Sequence, residues 1–449
     1  MSAPLDRADT AMGKTLWSRP YRRPVISVLA LMTLIAFESY AIVTALPVVA
    51  ADLDADDWYS FAFAATVATG LVGMVIGGNW ADRSGVRRPL LVGGVLFLTG
   101  LVICTVTPAM ELFLVGRLLQ GLGGGIDSVV VYVVIAGVLP EHLRTRMFSL
   151  LVAAWLLPAI VGPLVTGVVV DRLGWRPVFG LVLAGSAAAL AALVGVTDRT
   201  SRGHVGTAVI GTRGAWAIVA CLGVVVLHVA GHLPAPWLII AVAAAAVVVA
   251  AATHRLMPPG TLTGRPGPPR LIMVKGLLGA TVAATDIYFT RFLQHELDYT
   301  PTLAGVVVAI GAIGWVTGSW IGDRTDTESP RLWLAAGLVA VGPLALLALV
   351  TGAAPVPVAV AGCVLMGVGM GMAYPLITST ALAQTAPERH GHISSALQSV
   401  EQLTTATLTA VTGVVLVTAV GGYRVSYTII AAVALLAVIA ALRNPPRRD

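Results

Sequence analysis

Long apolar runs, separated by short polar connections, recur along almost the whole chain. Each run is about 18 residues or longer, which is the length that a helix needs to cross a bilayer. None shows the alternation of about ten residues that a membrane β-barrel strand requires. The predicted spans are 25–49, 58–80, 89–107, 111–138, 146–170, 177–196, 214–231, 236–252, 272–294, 302–322, 331–351, 356–384, 393–420 and 424–442. The pattern therefore predicts an all-α integral membrane protein with 14 transmembrane helices.

The distribution of charge predicts the orientation of these spans. Arginines such as Arg83, Arg144, Arg213, Arg265 and Arg389 lie in alternate connections, and this excess is typical of the cytoplasmic side. The opposite connections hold Arg172, Arg176 and Arg424 together with the acidic group Asp52, Asp54, Asp56 and Asp57. We therefore expect both termini to be cytoplasmic, in a multi-pass protein of the inner (plasma) membrane.

The composition agrees with a membrane protein, because 57% of the residues are hydrophobic and only 11% are charged. The net charge of +6 is explained by the cytoplasmic connections, so we expect no nucleic-acid partner. The three cysteines lie far apart inside apolar runs and predict neither a disulfide nor a metal site. The N-terminal residues are polar and basic, without the apolar core of a signal peptide.

The chain contains an internal repeat with an offset of about 240 to 248 residues. Glu38-Ser39-Tyr40 aligns with Asp286-Ile287-Tyr288, and the run Gln120–Gly125 aligns with Met366–Gly371. Each half holds six spans and two spans intervene, so both halves enter from the same side as parallel repeats. The predicted organisation is a tail (1–24), a six-helix bundle (25–197), a linker with two extra transmembrane helices (198–271), a second six-helix bundle (272–442) and a tail (443–449).

Ionisable residues within the spans are the leading functional candidates, because charge at the centre of a bilayer is costly. Glu38 lies near the middle of the first span, and Arg117 lies within about 10 Å of the same height at ~1.5 Å per residue. We expect Arg117 to control the protonation of Glu38, directly or through Gln120. Two alternatives stay open: a neutral, structural Glu38, and an Arg117 that extends to the outer interface.

Further polar positions complete the predicted sites. Asp286 is the repeat partner of Glu38, and Asp127 lies deeper on the fourth span; with Glu38 and Arg117 they form the predicted proton-coupling group. Glu401 aligns with Trp155, as expected of positions that line a cavity. The predicted substrate cavity comprises Tyr40, Gln120, Trp155, Tyr288, Arg291 and Glu401. Arg291 could also pair with Asp286 or Glu296.

A tight charged hairpin, Gly78–Arg88, lies between the second and third spans. Its weaker copy, Gly318–Arg324, lies in the second half. Glycines permit the sharp turn, and we expect the charges to hold the helix ends in one conformational state and release them in another. The predicted conformational residues are Gly78, Asp82, Arg83, Gly85, Arg87 and Arg88, together with Gly162, Pro163 and Gly167 of the fifth span. Loop charges that only fix the topology, and glycines that only pack, are the alternatives.

These motifs resemble those of the major facilitator superfamily. The hairpin resembles the loop between spans two and three, with Trp80 and Val86 at positions where leucine and a basic residue are usual. Leu114–Gly123 resembles the fourth-span motif, whose arginine is linked to proton movement, and Gly162–Gly167 resembles the antiporter motif, with Thr166 replacing a glycine. Glu38–Pro47 resembles the first-span motif of the 14-span drug:proton antiporters.

The resemblance implies two six-helix bundles around a central cavity, with two inserted helices. It also implies proton-coupled export of amphipathic or drug-like small molecules by alternating access. We expect no cofactor, with protons as the coupling ion, and a monomer in the lipid bilayer. An exporter of an endogenous metabolite or lipid, and a transport-inactive membrane sensor, are the alternatives. An enzyme is not expected, because no nucleophile and base or metal-ligand spacing occurs.

Overall fold

The computed structural model describes residues 15–197, 208–234, 236–323, 330–386, 389–418 and 422–443. Parts of the predicted tails and linker, and Arg324 of the second hairpin, lie outside these residues. Within the described residues, fourteen helices are long and apolar enough to cross a membrane. The predicted all-α membrane fold is confirmed. With fourteen crossings, the start of the first helix and the end of the last would lie on the same side of the membrane.

The helices follow the predicted spans, and most extend beyond them by a few residues. The first half contains α1 (Arg19–Asp52), α2 (Tyr59–Ser84), α3 (Arg87–Val106), α4 (Met110–Val138), α5 (Glu141–Leu173) and α6 (Arg176–Thr197). The inserted helices are α7 (Gly211–Ala230) and α8 (Trp237–Leu256). The second half contains α9 (Pro268–His295), α10 (Pro301–Asp323), α11 (Pro330–Val350), α12 (Val356–Ala383), α13 (His390–Val417) and α14 (Gly422–Leu442).

The internal repeat reappears in the packing. In the first bundle α4 packs on α2 and α3, while α1 packs on α5 and α6; in the second bundle α12 packs on α10 and α11, while α9 packs on α13 and α14. The bundles meet along two equivalent seams, α5 against α10 and α2 against α13. The inserted α7 packs against both α2 and α13, with α8 behind it.

Glycines allow the closest helix pairs to approach. A Cβ atom at Gly77 of α2 would lie 2.9 Å from the Cα of Ile126 on α4, and one at Gly371 of α12 would lie 2.6 Å from the amide nitrogen of Ser319 on α10. Small residues permit such contact between membrane helices, where no water drives association. The glycine-rich runs of α4 and α12 therefore pack helices.

The bundles are joined at the end where α1 finishes and α2 begins, which the charge pattern predicts to face outwards and which is termed the outer end below. The Tyr59 hydroxyl of α2 donates to the Ile287 carbonyl of α9 at 2.8 Å, and the Gln294 amide donates to the Thr44 carbonyl at 3.1 Å. Arg291 of α9 donates to the Asp56 carbonyl at 3.1 Å. These bonds cross from one bundle to the other, so the structure is closed at its outer end.

Candidate functional site

A cavity of about 270 Å³ lies between the two bundles, at mid-height of the helices. Both halves contribute to it through equivalent helices: α1, α2, α4 and α5 from the first, α9, α10, α12 and α13 from the second; α3 adds Phe97. Its wall is mostly apolar, with aromatic side chains from both bundles. The large apolar and aromatic lining residues are Tyr40, Phe63, Phe97, Trp155, Trp315, Met366, Met370 and Tyr374.

Three carboxylates face this cavity: Glu38 from α1, Asp286 from α9 and Glu401 from α13. Among the described lining residues, none is lysine, arginine or histidine. The cations that balance two of these carboxylates, Glu38 and Glu401, lie behind the wall. The three acidic groups therefore differ in what holds each of them.

Glu38 is held by Arg117 in a buried ion pair, with the two side chains 4% and 1% exposed. Arg117 also contacts the Gln120 side-chain oxygen, and its Nε donates to the Ala62 carbonyl of α2 at 3.2 Å. In return the Thr66 hydroxyl donates to the Arg117 carbonyl at 3.1 Å. The Arg117 guanidinium thus ties α1, α2 and α4 together. The structure places Arg117 on Glu38 directly, with Gln120 as a second acceptor.

Glu401 is held by two groups of the second bundle. The Lys275 ammonium lies 3.5 Å from Glu401 Oε2, and the Tyr374 hydroxyl donates to Glu401 Oε1. Lys275 also lies 4.7 Å from the centre of the Tyr374 ring, and Trp315 packs edge-on against that ring. Close packing is possible because a Cβ at Gly279 would lie only 2.8 Å from Glu401 Cγ. Glu401 is 29% exposed, so it is held less tightly than Glu38.

Asp286 differs from both, because its carboxylate makes no ion pair or hydrogen bond with the described residues. The neighbouring Arg291, whose pairing with Asp286 or Glu296 was an open alternative, lies at the outer end instead. There it approaches Asp56 at 3.9 Å and lies 4.9 Å from the centre of the Tyr59 ring. Asp286 therefore faces the cavity without a counter-ion from the part of the chain that the structure describes.

Of the remaining predicted cavity residues, some line the cavity in the structure and others do not. Tyr40, Gln120 and Trp155 line the cavity. Tyr288 lies outside it: fully buried, it donates its hydroxyl to the Thr409 carbonyl at 2.8 Å and accepts from the Thr412 hydroxyl at 2.9 Å. Tyr288 and Arg291 thus join helices at positions where the sequence predicts cavity residues.

Asp127 also lies away from the cavity lining, although its neighbours Gly125 and Ser128 belong to it. The side chain is 0% exposed, and both carboxyl oxygens lack a hydrogen-bond partner among the described residues. It faces α3, where a Cβ at Gly93 would collide with Asp127 Oδ1. A proton-coupling role for Asp127 stays a prediction.

The fifth-span residues form the outer contact between the bundles. A Cβ at Gly167 would lie 2.5 Å from the Pro301 carbonyl oxygen of α10, and one at Gly305 would lie 2.8 Å from the Pro163 carbonyl carbon. One turn beyond Gly167, Asp171 accepts a hydrogen bond of 3.0 Å from the Thr302 amide, at the first turn of α10. Gly162 instead packs on α1, where an added Cβ would lie 3.6 Å from Phe37 and Tyr40.

The charged hairpin lies at the opposite end. Gly85 ends α2 with φ +78°, a conformation that favours glycine, and its amide donates to the Ala81 carbonyl at 3.0 Å. Gly78 faces α4, where an added Cβ would lie 3.6 Å from Val129. Asp82, Arg83, Arg87 and Arg88 are exposed. Asp82 makes no ion pair with the described residues.

Lys275, Tyr374 and Trp315 are site residues that the sequence interpretation missed. The ninth span was predicted to begin at 272, which leaves Lys275 at the membrane surface. The helix begins at Pro268, so Lys275 lies a full turn deeper and is only 9% exposed. A lysine within a predicted membrane span was therefore the signal in the sequence that could have identified this part of the site.

Comparison with known proteins agrees with this architecture. The family model of the Major Facilitator Superfamily matches residues 28–408. A probable multidrug-efflux transporter from Mycobacterium tuberculosis is 28% identical over 441 residues, covering 90% of this chain and 91% of that protein. The multidrug resistance protein MdtL of Salmonella schwarzengrund is 33% identical over 135 residues, covering 30% of this chain and 34% of that protein.

Solved structures show the same fold at low identity. A POT family transporter in complex with 5-aminolevulinic acid superposes with a TM-score of 0.69 at 14% identity, over 94% of this chain and 95% of that one. The human organic anion transporter MFSD10 superposes with a TM-score of 0.61 at 14% identity, over 94% and 99%. The family match, the paired bundles and the central cavity together show that this chain belongs to the major facilitator superfamily and is a multi-pass membrane transporter of small molecules.

Proposed function

We propose that this protein exports amphipathic, drug-like cations in exchange for protons. The observation that carries the proposal is Asp286, a carboxylate in the central cavity with no counter-ion from the described residues. A buried charge is costly unless it is paired or neutralised. Either a bound cation or a bound proton meets that need, and one carboxylate cannot hold both.

The shape and lining of the cavity suit a flat, partly apolar cation. Tyr40, Trp155, Trp315 and Tyr374 surround the space that Asp286 faces. Aromatic faces attract cations, and large rings bury apolar surface with little loss of side-chain freedom. Met366 and Met370 add adaptable apolar surface, which favours ligands of varied shape.

Competition at Asp286 supplies a coupling mechanism. A proton that arrives from the outer side neutralises the carboxylate, weakens its hold on the cation and releases it. Loss of that proton to the cytoplasm restores the charge and the affinity. Exchange of one proton for a monocation moves no net charge, so we expect the pH gradient to drive it. Glu38 is less suited to this exchange, because Arg117 already balances it.

Alternating access would require the outer contacts to break. Among the described residues those contacts include the close approach of Gly167 to Pro301, the Asp171 bond to Thr302, the bonds of Tyr59, Arg291 and Gln294, and the approach of His295 to Asp56. At the opposite end the exposed Asp82 would form its latch in the other state. Contacts that close one end in one state and the opposite end in the other are what rocking of one bundle against the other requires.

The names of two relatives support export of drugs. The Mycobacterium tuberculosis protein, which matches over 90% of this chain, is described as a probable multidrug-efflux transporter. The Salmonella protein is described as a multidrug resistance protein. The charge pattern predicts that both termini are cytoplasmic, which suits an exporter in the plasma membrane.

The test is cation-driven proton movement by the purified protein. Ethidium or tetraphenylphosphonium is added to weakly buffered protein in detergent, and a pH indicator reports the protons released. In proteoliposomes, the same compounds should drive proton flux across the membrane. Wild type is compared with Asp286→Asn, with Glu38→Gln, and with Glu141→Gln, whose exposed carboxylate at the start of α5 serves as the control.

We expect about one proton to be released per bound cation by linkage. This release should disappear in Asp286→Asn and persist in the Glu141→Gln control. Flux that survives Asp286→Asn would contradict the assignment and move the exchange to Glu38, Asp127 or Glu401. Folded wild type that binds no cation and moves no protons would refute the proposed function itself.

A further inference from the structure

Lys275 lies directly behind the cavity wall, where the proposed exchange does not use it. Its ammonium lies 3.5 Å from Glu401 Oε2 and 4.7 Å from the centre of the Tyr374 ring. The side chain is 9% exposed, while its partner Glu401 is 29% exposed and lines the cavity. Lys275 is therefore a buried cation that reaches the site through the Glu401 carboxylate and the Tyr374 ring, both of which line the cavity.

The charges around the cavity give a simple balance. Glu38 is paired with Arg117, and Glu401 is paired with Lys275. Asp286 has no such partner among the described residues. With all five groups ionised, three negative charges meet two positive ones, and a single negative charge remains.

We propose that Lys275 determines the charge of the transported compound: by neutralising Glu401, it limits the cavity to ligands with one positive charge. This inference rests on the proposed export of cations. A second positive charge on the ligand would find no free carboxylate and would lie near Lys275. Unlike charges that meet across a site favour binding, and like charges exclude the wrong ligand.

The geometry of α9 indicates which ligand the Lys275 pair excludes. Glu401 packs against Gly279, and Asp286 is seven residues further along the same helix face. Seven residues span about 10 Å along a helix axis. If Lys275 were neutral, Glu401 and Asp286 would present two free carboxylates roughly 10 Å apart along the cavity. That arrangement suits an aromatic dication.

Ethidium and propidium provide a matched pair of probes, because they share a phenanthridinium ring and propidium carries a second cationic group. Their affinities are measured by fluorescence on the full-length protein, at about pH 8 so that a carboxyl group without its counter-ion stays ionised. The variants are Lys275→Met, Lys275→Arg as the charge-preserving control, and the double variant Lys275→Met with Glu401→Gln.

In wild type and Lys275→Arg we expect a preference for ethidium. In Lys275→Met the propidium affinity should rise about tenfold or more relative to ethidium, since one carboxylate is freed. The double variant should return to the wild-type preference, because the freed carboxylate is gone. A purely structural role for Lys275 would weaken both ligands alike and leave their ratio unchanged.

An unchanged ratio in folded Lys275→Met would overturn the proposal, and proton release on ethidium addition would show that the proposed export still holds. If Lys275→Met does not fold, the single variant Glu401→Gln tests the proposal. It leaves Lys275 without its anion, so ethidium affinity should fall by about tenfold. Unchanged ethidium affinity there would equally overturn the proposal. Wild type that binds neither compound would refute both the proposal and the export of cations.

Discussion

The buried pair of Glu38 and Arg117 allows a quantitative prediction for Glu38→Gln. This substitution keeps an oxygen that can accept a hydrogen bond, but it removes the negative charge beside Arg117. Arg117 is 1% exposed and cannot move into water without unpacking α1, α2 and α4. It would therefore remain as an uncompensated charge within the first bundle.

Breaking a buried ion pair by removing one partner costs about 3–5 kcal/mol. Arg117 would retain two acceptors, the Ala62 carbonyl and the Gln120 side chain. These bonds soften the loss, so we expect Glu38→Gln to destabilise the protein by about 3 kcal/mol, at the lower end of that range. Arg117→Met would leave Glu38 uncompensated and should cost a similar amount.

The double variant separates the pair from its surroundings. Replacing both members of a buried ion pair by groups of similar size is often close to neutral. We therefore expect Glu38→Gln with Arg117→Met to be more stable than either single variant, so the coupling energy should exceed about 3 kcal/mol. Glu401→Gln is the matched comparison in the second bundle: the charge that it leaves, Lys275, is 9% exposed and keeps the face of the Tyr374 ring as a partner, so the loss should cost less.

The assay is reversible unfolding in a denaturing detergent, followed by tryptophan fluorescence and helicity. Agreement between the two probes checks that one transition is measured. Glu38→Gln no less stable than Glu401→Gln would refute the reasoning, as would a double variant that loses the sum of the two single losses. Either result would mean that the pair contributes nothing beyond its separate side chains.

Three further substitutions test the outer contacts and the reassigned residues. Gly167→Val should abolish transport and favour the outward-open state, because a Cβ there would lie 2.5 Å from the Pro301 carbonyl oxygen. Gly337→Ala is the control and should leave transport unchanged, because an added Cβ there meets no atom within 4 Å. Labelling of a cavity cysteine from outside measures the outward-open fraction. Asp171→Ala removes the acceptor of a first-turn amide of α10 and should shift the same labelling in the same direction, by about 1 kcal/mol. Tyr288→Phe should lower the free energy of unfolding by about 1 kcal/mol, because the hydroxyl is hydrogen-bonded to α13. The KM for ethidium should be unchanged, because Tyr288 does not line the cavity. A raised KM would contradict that placement.

The fold could be predicted from the sequence because the bilayer leaves few choices. Every backbone polar group must be satisfied within its own segment, so apolar runs of sufficient length become helices. The proximity of Glu38 and Arg117 was also predictable, since each height follows from the distance to a helix end at a fixed rise. Height along a helix axis can be calculated from the number of residues in the sequence and the fixed rise per residue.

The assignment of residues to the cavity required the rotation of each helix, which the repeat alone does not supply. Asp286 and Tyr288 are two positions apart, about 200° around a helix, so they point in nearly opposite directions. The structure places Asp286 in the cavity and Tyr288 against α13. Arg291 lies five positions beyond Asp286, about 7.5 Å nearer the outer end. The repeat correctly aligned Asp286 with Glu38 and Tyr288 with Tyr40. It did not show that α1 presents both of its side chains to the cavity, whereas α9 presents only Asp286.

The inserted helices place a constraint on the proposed rocking motion. Helix α7 contacts both bundles, since it packs on α2 and α13. At the outer end a Cβ added at Gly231 would lie 3.4 Å from Val414, and at the other end Arg213 lies beside His392. It therefore covers one of the two seams between the bundles. If the bundles rotate, α7 cannot keep both sets of contacts, and its packing on α2 is the more extensive. We expect α7 and α8 to move with the first bundle and to slide over α13, which leaves the α5 and α10 seam as the side through which an amphipathic compound could enter from the bilayer.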